Sequence, residues 1–131
     1  MIPIDLSRLV VNEVTQVHFC VLREQGGPRE LSFPIGLFEA AALDRVLRQE
    51  LHPRPLTHDL LVHVAGELGA SLAWVAIDDV IDEVFFAKLY LRRGEFEIPV
   101  DARPSDALVL ALQEGAPVFV AERVFRKVTQ A

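Results

Sequence analysis

Asp101-Ala102-Arg103-Pro104-Ser105-Asp106-Ala107 marks the point where a strand hands over to a helix. Upstream, Val84–Leu91 and Glu95–Val100 flank Arg93-Gly94 as the two arms of a β-hairpin. Downstream, Pro104–Glu114 reads as a short helix. Proline suits the first helical position, Ser105 and Asp106 suit the free N–H groups of the first turn, and Gly115 and Pro117 stop the run. The helix is apolar almost all round, which predicts burial between layers. A hairpin feeding a sunken helix points to an α+β fold.

The remaining segments extend this pattern. Gln16–Leu22 alternates, with Val17, Phe19 and Val21 on one face. Gly26-Gly27-Pro28 makes a turn, and Leu31, Phe33 and Ile35 alternate again. Leu37–Leu51 has leucines four apart at Leu43, Leu47 and Leu51, the spacing of a helix. His52-Pro53-Arg54-Pro55 breaks the chain. Thr57–Leu68 is a second helix with Thr57 as its N-cap, a stripe of Leu60, Leu61, Val64, Ala65 and Leu68, and Gly69 at its end. Leu72–Val80 and Val118–Val120 read as strands, Asp78-Asp79 with Asp82-Glu83 as an acidic turn, and Glu122–Val128 as an amphipathic tail. Phe33-Pro34-Ile35-Gly36 echoes Ile98-Pro99-Val100-Asp101, each after a hairpin and before a helix, which suggests a duplicated ββα unit. The expected architecture is a single α+β domain over residues 1–131, with β-hairpins in a mixed sheet packed with three to four helices. Its expected core comprises Val17, Phe19, Phe33, Leu43, Leu47, Leu61, Val64, Leu68, Val75, Phe85, Leu89, Ile98, Leu108 and Leu112.

Composition narrows the function classes. A chain of 131 residues, 51% hydrophobic and 24% charged, has the balance of a soluble globular domain. The lone Cys20 excludes an internal disulfide and a cysteine-based zinc site, and makes a reducing cytoplasm the expected setting. Met1–Val10 lacks the cationic start and apolar run of a signal peptide. No apolar run approaches the ~20 residues of a membrane helix. The net charge of −6 works against unaided binding of a polyanion, so nucleic acid binding would need local arginines, a metal ion or both.

Pro53-Arg54-Pro55-Leu56-Thr57-His58-Asp59 carries the same residue types as the opening stretch: Arg, Pro, a hydroxyl residue and Asp, just ahead of an apolar helix. Capping accounts for the hydroxyls and one Asp in each segment, but not for the paired Arg-Pro, the further Asp and the His. Two helix starts dressed this way look like a site, with groups suited to acid–base work and to holding an anion. His58, Asp59, Asp101, Asp106 and Glu39 are the catalytic candidates, and Arg54, Arg103, Thr57 and Ser105 the substrate-binding ones. Asp101 and Asp106 are the candidate ligands of a divalent cation, Mg²⁺ or Mn²⁺. Glu39 lies four before Leu43 on the core-facing line, where a carboxylate must be paired or line a cleft. The competing reading is a non-catalytic interaction or regulatory module, whose Arg/Asp segments are a structural network or a small-anion pocket. Asp59 and Asp106 cap, the arginines form a structural network, and His58 is a packing residue.

The landmarks Pro34-Ile35-Gly36 with Glu39-Ala40, Arg54-Pro55-Leu56-Thr57-His58-Asp59-Leu60, Asp101–Ala107 and Gly115-Ala116-Pro117-Val118 fall in order between about Val10 and Val124. In this the chain resembles the bifunctional nuclease family, whose name denotes hydrolysis of both DNA and RNA. The resemblance implies a compact α+β domain, DNA or RNA as substrate, and a homodimer or higher homo-oligomer.

Overall fold

The computed structural model describes residues 1–130, with the side chain of Gln130 left aside. In chain order the elements are β1 (Ile2–Val11), β2 (His18–Glu24), β3 (Glu30–Ile35), α1 (Leu37–Leu47), α2 (Thr57–Glu67), β4 (Ser71–Ile81), β5 (Val84–Arg93), β6 (Phe96–Ala102), α3 (Pro104–Glu114), β7 (Val118–Val120) and α4 (Glu122–Gln130). All seven strands join one sheet in the order β3-β2-β1-β7-β4-β5-β6. Every pairing is antiparallel except β4 with β7, so the sheet is mixed and the fold α+β.

The sheet order exposes the duplication. β1-β2-β3-α1 and β4-β5-β6-α3 are two three-stranded meanders, each closed by a helix, and β7 joins them between β1 and β4. The equivalence is offset by two residues from the tetrapeptide echo. Gly36 and Arg103 are the matching N-caps, so Glu39 and Asp106 fall at the same third helical position. α1 and α3 pack on each other, and α3 packs on β4 and β5. On β4, Val75 and Ile77 alternate with Ala76 and Asp78, and all four are buried, so this central strand is covered on both faces. α4 packs against β4, held by Arg123 donating to the Asp78 carbonyl and Lys127 to Asp79.

Several sequence expectations are corrected. β1 carries no clear strand pattern in the sequence, because a bulge between Leu6 and Arg8 interrupts its alternation. β2 begins at His18, and its buried residues are His18, Cys20, Val21 and Leu22; Val17 and Phe19 are exposed. Both alternations of that strand are largely apolar, so the period alone could not choose the inner face. α1 ends at Leu47, leaving Leu47 and Leu51 exposed. α2 is capped at Leu56, not Thr57, and turns Val62 and Ala65 inward while Leu61, Val64 and Leu68 face out. Ile98 lies on the edge strand β6 and is likewise exposed. Asp78 and Asp79 belong to β4, paired with Lys88 and Lys127, and only Asp82 and Glu83 make the turn, both at positive φ.

Candidate functional site

Three helix starts converge. α1 and α3 come side by side through the duplication, and α2 brings its first turn against α3. At the junction Arg103, the N-cap of α3, reaches across to α1. Its Nη1 donates to Glu39 Oε1 at 2.7 Å, while Nε and Nη2 donate to the two Asp106 carboxylate oxygens at 2.9 and 3.2 Å. From α2, His58 Nε2 lies 3.0 Å from Asp106 Oδ1. The four side chains form one continuous chain, Glu39–Arg103–Asp106–His58, along the wall of an open cavity of about 420 Å³. Thr57 and Ser105 also line it.

The protonation pattern follows from the partners. Burial raises the Asp106 pKa, but the hydrogen bonds from Arg103 and His58 outweigh it and the net shift is downward. The hydrogen bond from Arg103 holds Glu39 down as well, helped by its own backbone N–H. Both carboxylates hold the Arg103 guanidinium firmly protonated. With Asp106 ionised, the His58–Asp106 bond requires the proton on Nε2, which leaves Nδ1 of the neutral ring with its lone pair. Arg103 spends three of its five N–H groups on carboxylates and keeps one on each Nη. Gly36 makes room for this arrangement, since a Cβ there would crowd the Glu39 carboxylate.

The other candidates stand elsewhere. Asp59 Oδ2 accepts the Leu56 backbone N–H at 2.9 Å, tying down the start of α2. Arg54 is exposed in the loop before α2 and does not line the cavity. Asp101 is still within β6, opposite Lys88 and exposed, so it does not meet Asp106. As a divalent-cation centre this donor set fits poorly. Both Asp106 oxygens are engaged by cationic or N–H donors, and no three His, Cys, Asp or Glu side chains among the described residues are disposed to hold a metal ion. Sequence reasoning missed Arg45, which lines the cavity from the last turn of α1 and makes no ion pair among the described residues. Its only signal was its place two residues after the buried Leu43 on the cavity-forming helix.

The bifunctional nuclease domain matches residues 20–131, and the chain belongs to that family. Among its relatives, an uncharacterized protein of Mycobacterium tuberculosis is 43% identical over 104 residues, covering 79% of this chain and 62% of that protein. A protein of Oryza sativa subsp. indica named bifunctional nuclease 1 is 28% identical over 112 residues, 82% of this chain and 34% of its own. A bifunctional nuclease of Oryza minuta matches to the same extent. The chain thus spans less than two thirds of the length of these relatives.

Proposed function

We propose that the protein hydrolyses phosphodiester bonds of DNA and RNA, with His58 as general base and Arg103 at the phosphate. The observation that carries this reading is the Glu39–Arg103–Asp106–His58 chain along an open cavity in a member of the bifunctional nuclease family. Asp106 fixes the His58 tautomer and stabilises the imidazolium that forms when Nδ1 takes a proton from water. The hydroxide so generated adds to phosphorus, the bond to the leaving oxygen breaks, and that oxygen takes a proton from solvent. The two remaining Nη hydrogens of Arg103 meet the charge that builds on the non-bridging oxygens. Glu39 and Asp106 orient the guanidinium, and no step needs a bound cation. The reading predicts cleavage of single-stranded RNA and DNA that survives a chelator and is lost in His58→Ala. Cleavage abolished by chelator would overturn this assignment of roles. Equal cleavage by wild type and His58→Ala would leave the network as a structural tie and the domain as an interaction module.

The protein's quaternary state is part of the proposal. Leu60, Leu61, Val64 and Leu68 give α2 an outward apolar stripe. We propose that a second copy covers it in a homodimer. The cytoplasm is the proposed setting, in keeping with Cys20, whose buried thiol is pushed up to about 12.

A further inference from the structure

The network just described has a charge deficit. Glu39 and Asp106 set two carboxylates against one guanidinium, so with His58 neutral the cluster carries an excess negative charge. A polyanionic strand approaching it meets repulsion unless another cation contributes. Arg45 is that cation. It is half-buried, it lines the same cavity, and it has no carboxylate partner among the described residues.

Arg45 also stands on the wall between two lobes. A second cavity of about 290 Å³ shares Ala42, Arg45, Leu56, His58 and Val109 with the first. Its walls are apolar at Val46 and Leu112, and the amides of Gln49 and Gln113 sit beside them. Glu50 and Asp59 line it too, so it does not suit a second phosphate. Apolar walls with amide and carboxylate groups beside them suit a neutral, flat, hydrogen-bonding group, which in a nucleic acid is a base. We propose that Arg45 binds the phosphate next to the scissile one and that the adjoining lobe takes a base of the same strand. This inference rests on the nuclease reading and extends it from a single phosphate to a strand gripped at two successive nucleotides.

The test compares two single-stranded RNA substrates: a dinucleoside monophosphate, whose only phosphate is the scissile one, and a hexanucleotide. Wild type should prefer the hexanucleotide in kcat/KM. Arg45→Gln should cut that preference about tenfold, chiefly through KM, as expected for one charge-assisted contact. The salt dependence of hexanucleotide KM should flatten by about 0.7 of a log unit per log unit of salt, the share of one phosphate on a single strand. Arg45→Lys keeps the charge and should recover much of the preference, and circular dichroism checks that both variants fold. If wild type cuts and both variants keep its preference, the subsite is wrong while the nuclease reading stands. Equal loss on both substrates would place Arg45 at the scissile phosphate and overturn the flanking role. If wild type cuts neither, the nuclease reading fails and the subsite falls with it.

Discussion

α2 and α3 are both eleven residues long, and both start with the same residue types, yet they sit in the molecule differently. α3 buries seven of its eleven residues, whereas α2 buries none. α3 is fixed by Leu108, Val109, Leu110 and Ala111 in the core, with Gly115 in the left-handed conformation ending it. α2 rests on the fold through Val62 and Ala65 and leaves Leu61 49% and Leu68 65% exposed. The candidate site therefore joins a rigid half to a lightly held half. Arg103 and Asp106 stand on the first and His58 on the second, and the His58–Asp106 hydrogen bond crosses the joint. The fold presets Arg103 against its two carboxylates, while His58, the proposed base, is in place only when α2 is seated.

The sharpest way to break that contrast is to empty each helix in turn. Leu108→Ala should destabilise the protein by about 3 kcal/mol, the cost of a filled core position. Leu61→Ala should cost under about 0.5 kcal/mol in the monomer, because an exposed side chain has little to lose. Urea unfolding of both variants at low protein concentration gives the comparison, and similar costs would show that α2 is packed as firmly as α3.

A smaller effect concerns the proposed partner of α2. If a second copy covers the stripe, Leu61→Glu should weaken the dimer at least about tenfold by placing a charge in an apolar contact. Light scattering across a dilution series reads this. A wild-type mass that stays monomeric at all concentrations would leave the stripe without a second copy.

The smallest effect is on pH dependence. Glu39 and Asp106 lie below their ordinary values of 4.5 and 3.8 in the folded protein. Depressed carboxylates contribute stability that is fully present above the unfolded values and is lost as pH falls through the folded ones. Wild type should therefore lose stability below about pH 4.5, and Asp106→Asn should lose less over the same range. Identical slopes in urea midpoint against pH would mean that the Asp106 contacts contribute nothing to folding.

The strand-to-helix passage at Asp101–Ala107 was legible because hairpin, proline, cap and apolar helix all agreed, and β5, β6 and α3 lie where those signals place them. The sequence shows where β2 runs but not which face is inner, since Phe19 and Cys20 are both acceptable inward and only the neighbouring strands decide. The inner face of α2 is hidden for a related reason. Its larger apolar stripe faces away from the sheet, and a periodicity cannot tell a core face from an unpartnered one. Within the site, His58, Arg103, Asp106 and Glu39 could be nominated from residue chemistry. The duplication that brings Glu39 and Asp106 to matching helix positions was visible only as a misaligned echo. Asp101 looked like its neighbour Asp106, yet it precedes the helix and remains on the strand, so proximity in sequence misled. Nothing in the sequence singles out Arg45, because a lone arginine on an amphipathic helix reads as solvated surface.

The most direct measurement of the whole account is a double-mutant cycle across the joint. Cleavage of single-stranded RNA would be followed in the presence of chelator for wild type, His58→Ala, Asp106→Asn and the double variant, each checked for a native melting transition. If Asp106 acts on catalysis through His58, each single change should cost about 10²-fold or more in kcat, and the double variant should be little worse than the worse single one. Losses that simply multiply would mean that the two residues act apart, and wild-type cleavage by all three variants would show that this junction is not the catalyst.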